Sequence, residues 1–239
     1  MSGHSKWAQI KRQKAVTDKK KGQAFSKLGR TIALTAKDGG GDPGSNFKLH
    51  LAIEKAKAAS MPNENIERAI KRGTGEEGAG TIEEALYEGY GPFGTAFLVE
   101  AATDSKNRTV SNIKHIFTKH GGALGSTGSV AWQFVTRGQI LVERGTKDLS
   151  DVELAAIDAG AEDVRESPEG LEIYTRPIDL NQIKEKIMQL GARVAQAEVI
   201  KESTTGVDLS EEQKPPVDAL FAELENDDDV IAVHTSANL

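Results

Sequence analysis

The chain has no cysteine, few aromatic residues and no long apolar run. Without cysteine, disulfides and thiolate metal sites are excluded, and a reducing compartment is allowed. Aromatic residues make up 5% of the 239 positions and hydrophobic residues 38%, enough for packed cores but on the low side. No stretch approaches the roughly 18–20 apolar residues that cross a bilayer. The opening Met1-Ser2-Gly3-His4-Ser5-Lys6-Trp7 lacks the apolar core of a secretory leader. The expectation is a soluble cytoplasmic protein with no membrane partner, built as one large or two to three small domains.

What the chain does have is a charge gradient. Residues 1–75 hold sixteen Lys and Arg against six Asp and Glu, a formal charge of +10. The whole chain is −6, which leaves −16 for the remainder. A polycationic end on an acidic protein points to a polyanionic partner, because phosphates attract Lys and Arg and binding releases condensed counterions. The competing reading is a merely solvated charged face; ten net positive charges on an otherwise acidic chain favour nucleic acid over it.

Residues 1–22 are polar and basic, and Trp7, Ile10 and Lys14 recur at helical spacing. Phe25, Leu28, Ile32 and Ala36 form one apolar stripe, so a helix is expected over 23–37. Gly39-Gly40-Gly41-Asp42-Pro43-Gly44 is a turn. A second helix is expected at about 46–59, capped by Ser45 or Asn46. A third begins near Pro62, placed in its first turn, and stops at Gly73. The expected nucleic-acid contacts are His4, Lys6, Trp7, Lys11, Arg12, Lys14, Lys19, Lys20, Lys21, Lys27 and Arg30. His4 and Trp7 could stack on a base; Trp7 could equally be a packing anchor.

Beyond a flexible linker at 74–81, Glu84–Tyr90 and Thr95–Ala101 read as strands joined by a Gly-Pro turn, and Asn107–His120 as a helix. Val130, Trp132 and Phe134 alternate, so 129–134 is expected to be a strand. Then Gln139–Glu143, a helix opened by a Ser150 capping box, a hairpin of 162–166 with 171–175, a helix capped by Asp179 and a strand at 194–200 follow in the order βαββαβ, a ferredoxin-like pattern. A helix at 216–225 and a strand at 230–234 lack a partner of their own and are inferred to complete the sheet begun at residue 82. Asp227-Asp228-Asp229 reads as a solvated turn.

No catalytic constellation emerges, and no catalytic, cofactor-binding or metal residue is expected. Gly73-Thr74-Gly75-Glu76-Glu77-Gly78 follows a helix and contains two acids, and Gly89-Tyr90-Gly91-Pro92-Phe93-Gly94 precedes a strand. A dinucleotide-binding turn must instead follow a strand and open a helix. His4, His50, His115, His120 and His234 are scattered without metal-ligand spacing. The chain is read as a non-enzyme.

Several stretches are similar to the YebC/PmpR family: Gly3-His4-Ser5-Lys6-Trp7 with Ile10-Lys11, Lys14, Asp18 and Gly22; Gly39-Gly40-Gly41-Asp42-Pro43; Met61-Pro62 and Asn65-Ile66-Glu67-Arg68-Ala69-Ile70 with Gly73; Tyr87-Glu88-Gly89-Tyr90-Gly91-Pro92; Asn107-Arg108-Thr109; and Gly121-Gly122. The resemblance covers essentially the whole chain. It implies three domains with the middle one discontinuous. The expected fold class is α+β: a basic N-terminal three-helix domain with its arm (1–75), a discontinuous α/β domain (82–136 with 204–239) and an inserted ferredoxin-like domain (137–203).

The resemblance also implies a DNA-binding regulator of transcription. The family includes mitochondrial translational activators of cytochrome oxidase, which implies a second possibility, a ribosome-associated factor that binds ribosomal RNA. A protein–protein adaptor is a third. The residues support phosphate-dominated binding and slightly favour RNA, with no convincing helix-turn-helix. The expected partners are therefore DNA or ribosomal RNA, and with the latter the ribosome.

Overall fold

The computed structural model describes residue 7 and residues 18–76, 82–145 and 148–238, with backbone alone at 18–20. Helix α1 (Asp18–Gly39) starts earlier than the apolar stripe. Its first turn of Asp and Lys contains no breaker, so the helix extends outward from its packed face. Gly40, at φ +86°, ends it. Asn46 caps α2 (Phe47–Ala58) by accepting the Leu49 N–H at 3.1 Å, while its amide donates to the carbonyls of Thr35 and Gly40, both at 2.8 Å. One side chain thus joins the start of α2 to the end of α1. Ile32, Ala36, Leu49, Ala52, Ala56, Met61, Ile66 and Ala69 form the core of this helical part.

Helix α3 (Asn63–Thr74) differs from expectation at both ends. Pro62 stands just outside it, and the stop is Gly75 at φ +83° rather than Gly73. Gly73 lies inside the helix because an added Cβ would sit 2.2 Å from the Ala33 carbonyl oxygen. The helices α1 and α3 approach through that missing side chain. Gly73→Ala is therefore expected to cost about 1–3 kcal/mol by overpacking. Gly22→Ala, in helix α1 with open space around it, should instead be neutral or stabilising by up to about 1 kcal/mol. Urea midpoints of the two variants check both signs.

Strand β1 (Glu83–Tyr90) pairs antiparallel with β2 (Ala96–Thr103), from Glu83↔Thr103 to Tyr90↔Ala96. After β2 come helix α4 (Lys106–Lys119) and the short strand β3 (Ala123–Leu124), which pairs with β1. The chain returns much later as β8 (Val207–Asp208), α7 (Lys214–Asn226) and β9 (Val230–Thr235). β9 pairs antiparallel with β2, so the sheet order is β3-β1-β2-β9. Ile113 and Phe117 of α4 are buried, as are Val217, Leu220, Phe221 and Leu224 of α7, and Phe117 meets Phe97 of β2 edge to face at 5.9 Å. Ala33 and Leu34 of α1 share a small core with Ile82, Ala102 and Ile231. The three helices and this sheet form one compact unit, residues 15–132 with 207–237.

The strand expected at 129–134 does not form. Residues 131–133 are a single 3₁₀ turn, and Trp132 is 69% exposed. The reason is Glu88. Its buried carboxylate accepts the N–H groups of Gly128 at 2.6 Å and of Val130 and Ala131 at 2.7 Å each. Donors that a strand would have given to a neighbour are taken by one side chain of β1.

The second unit comprises 133–206 and contains Trp7. Its strands are β4 (Phe134–Glu143), β5 (Asp163–Ser167), β6 (Gly170–Thr175) and β7 (Val194–Ser203), with α5 (Leu149–Asp158) after β4 and α6 (Leu180–Gln189) after β6. The sheet order β5-β6-β4-β7, antiparallel throughout, is that of a ferredoxin-like fold. The β4–β7 ladder runs from Phe134↔Ser203, so the sheet begins three residues before the expected start at 137 and its last strand ends at the expected limit of 203. Helix α5 is capped by Asp148, which accepts the Ser150 N–H at 3.0 Å, not by Ser150.

Candidate nucleic-acid interface

Of the expected contact residues, His4, Lys6, Lys11, Arg12 and Lys14 lie outside the described residues, as do the side chains of Lys19 and Lys20. Lys21 is exposed on α1. Trp7 is 5% exposed, with its indole N–H lacking an acceptor. Lys27 and Arg30, one turn apart on α1, point into the protein. The Lys27 ammonium donates to the Glu225 carbonyl and the Arg30 guanidinium to the Asp228 carbonyl. Arg30 also pairs with the Asp229 carboxylate at 3.1 Å.

Asp229 is the centre of this arrangement and is 3% exposed. It pairs with Arg108 of α4 at 2.9 Å and accepts the Thr109 hydroxyl at 2.7 Å. The Thr109 and Thr103 hydroxyls are hydrogen-bonded at 2.8 Å, and the Thr103 hydroxyl accepts the Ser105 N–H at 2.9 Å. Burial pushes the Asp229 carboxyl up, but the bonds from Arg108 and Thr109 and the charge of Arg30 outweigh it and hold the group below its ordinary value of 3.8. The solvated turn expected at 227–229 is therefore corrected: its last member is a buried junction of α1, α4 and β9. Three successive aspartates look like a water-facing run, and nothing local reveals that one of them meets arginines from two distant helices.

Burial lowers Lys27 from 10.5 to about 8, with Glu225, Asp227 and Asp228 offsetting part of the effect. The unfolded chain keeps this proton to about 10.5, whereas the folded chain releases it above about 8. The burial cost is thus complete below pH 8, and stability rises between pH 8 and 10.5. Melting temperature measured across that window should rise less, or fall more, in Lys27→Met than in the parent chain.

Further exposed cations lie on the other two helices. Lys48 and Lys57 of α2 and Arg68 and Lys71 of α3 are exposed. Arg68 and Lys71 are three apart and share one face of α3, beside the exposed acids Glu64 and Glu67. In the sequence the four are distinguishable only as part of the total charge of residues 1–75. Lys37 is taken by the Ile82 carbonyl at 2.8 Å.

An exposed aromatic pair lies at the far end of the same unit's sheet. The Tyr90 hydroxyl and the Trp132 indole N–H both donate to the Ser129 carbonyl, at 2.8 and 3.1 Å. Tyr90 is 40% and Trp132 69% exposed, while their polar atoms are satisfied. The histidines are dispersed: His50 is beside Glu54, His120 beside Glu223 and His234 beside Glu100. Among the described residues no group of three or more His, Asp or Glu is placed to hold a metal ion. No described helix is long and apolar enough to cross a membrane.

Two family models match the chain. One, described as the TACO1/YebC protein N-terminal domain, matches residues 5–76, and the other, the TACO1/YebC second and third domain, matches residues 82–237. A probable transcriptional regulatory protein of Thermoanaerobacter pseudethanolicus is 49% identical over 240 residues, covering 100% of this chain and 98% of its own. One of the same description from Moorella thermoacetica is 50% identical over 242 residues, covering 100% and 96%. Among solved structures, a conserved hypothetical protein from Aquifex aeolicus is 42% identical with a TM-score of 0.85, covering 93% of this chain and 92% of its own.

Proposed function

The chain belongs to the TACO1/YebC family, and we propose that it is a regulator of gene expression that binds nucleic acid through its N-terminal segment and the exposed cations of α2 and α3, with DNA as its target in transcriptional control. The observation that carries this reading is the charge of residues 1–75, +10 on a chain of −6. The acidic sheet domains repel a polyanion elsewhere, so attraction is confined to one end. Lys48, Lys57, Arg68 and Lys71 contact phosphates and position the protein without reading base edges.

Binding is measured by fluorescence anisotropy with a labelled duplex over a range of salt. Arg68→Ala and Lys71→Ala are each expected to weaken binding similarly on unrelated sequences and to reduce the slope of log K against log salt by about one. Arg30→Ala should instead lower the melting temperature and leave that slope nearly unchanged. Loss on a single operator sequence, with full binding on all others, contradicts the phosphate-dominated mode. Absence of binding at low salt rejects the function.

Ribosomal RNA is a second reading, and the exposed Tyr90–Trp132 pair supports it. Unpaired RNA bases stack on aromatic faces in a way that a closed duplex does not permit. Crosslinking in cells with sequencing of both recovered nucleic acids separates the two: promoter fragments support the first, ribosomal RNA the second.

A further inference from the structure

The inserted sheet has two faces, and the helices account for only one. Gly138 lies against Leu180, which places the start of α6 on the face carrying Ile140, Ile173 and Val142. The opposite face carries Gln139 and Leu141 of β4, opposed in register to Tyr174 and Glu172 of β6. These four are as deeply buried as the helix-covered residues, Glu172 being 1% exposed. A sheet face open to water would leave such side chains wet, particularly the polar ones. Trp7 falls in the same compact unit and is itself buried.

We propose that this helix-free face is the seat of the chain's own N-terminal basic segment, inserted through Trp7, and that the seat and a polyanion compete for that segment. The competition rests on the nucleic-acid reading above; the seat does not. Charge favours the occupant. The face carries Asp163, Glu172, Glu198 and Glu202 against Arg137 and Arg165. Both arginines are engaged within the face, Arg165 by Asp163 at 2.7 Å and Glu202 at 2.8 Å, and Arg137 by Glu202 at 3.2 Å. Arg165 also stacks over the Tyr174 ring at 4.3 Å. The face is thus net negative, and residues 1–14 hold four Lys and Arg and no acid. Trp7 supplies the apolar anchor. Its unmet indole N–H makes the seat weaker than a fully satisfied contact, as a releasable one should be.

The seat is tested first without any polyanion. The chain has two tryptophans, so Trp132→Phe leaves Trp7 as the only emitter. In the full chain, Trp7 should emit as a buried indole and be quenched by acrylamide several-fold less than free tryptophan. In Glu198→Lys, checked for an unchanged circular dichroism spectrum, that shielding should fall. Full quenching in the parent chain, or unchanged shielding in Glu198→Lys, overturns the seat.

Long-chain polyphosphate, which has charge but no bases to stack, is then titrated. Release of the segment should raise quenching towards the free value, and Glu198→Lys should need several-fold less polyphosphate. Bound polyphosphate, seen by calorimetry, with Trp7 still shielded overturns the competition alone. A chain that binds no polyphosphate while Trp7 is shielded overturns the binding reading and the competition, and leaves the seat standing.

Discussion

Asp229→Ala is expected to destabilise the sheet-and-helix unit by about 1.5–3 kcal/mol, because the partly buried Arg30 guanidinium loses its carboxylate while Arg108 keeps only Asp104. Arg30 and Arg108 both pair with this carboxylate, and the Thr109 hydroxyl loses its acceptor. Domains are stable by about 5–15 kcal/mol in total, so the loss is a large part of the whole. Chemical denaturation measures it. Asp229→Asn keeps the shape and one acceptor but not the charge, and should fall between the parent chain and alanine. The carboxyl is held below its ordinary value of 3.8, so its contribution is complete above that pH and is lost as pH falls through the lower, folded value. In Asp229→Asn the acid limb of the stability curve should flatten. The same variant tests how the basic helices are held: with the Arg30 tie removed, exchange of the α1 amides should accelerate ahead of those of β1.

Glu88→Ala is expected to cost about 3 kcal/mol or more, since three backbone donors lose one acceptor at once. The carboxylate receives Gly128, Val130 and Ala131. Burial raises its pKa, but these bonds prevail and hold it below the ordinary 4.5, so acid should weaken the loop as pH falls through the lower folded value. The local consequence is specific. Hydrogen exchange at those three amides should accelerate more than global unfolding explains, and Trp132 should lose fluorescence anisotropy. Glu88→Gln retains one acceptor oxygen but turns an NH₂ towards N–H donors, so it should rescue little. If Glu88→Ala unfolds at the parent midpoint with the three amides still protected, the side chain is not what shapes residues 128–132.

Parts of this architecture are legible from local pattern. The stripe Phe25, Leu28, Ile32, Ala36 does mark α1, the Asn46 cap does open α2, and βαββαβ does fold into the order β5-β6-β4-β7. Each depends on neighbours within about one helical turn or on strand alternation, which backbone geometry imposes locally. The misreadings share the opposite origin. Val130, Trp132 and Phe134 alternate like a strand, yet the N–H groups of Gly128, Val130 and Ala131 are captured by a carboxylate some forty residues away. Gly73 looks like a helix stop, but its role is set by the Ala33 carbonyl on another helix. Asp229 looks solvated beside Asp227 and Asp228, and is buried by partners 120 or more positions distant.

The candidate site divides the same way. Charge adds along a chain whatever its fold, so composition alone established a cationic end and an acidic remainder, and motif similarity alone established the family. Which cations remain available had to wait for packing, because pairing depends on distances between side chains that are far apart in sequence, and Coulomb attraction grows steeply only once folding brings them together out of water. Lys27 and Arg30 count fully towards the +10 yet are committed to Glu225, Asp228 and Asp229. Lys48, Lys57, Arg68 and Lys71, no different from them in composition, are among those the tertiary structure leaves exposed.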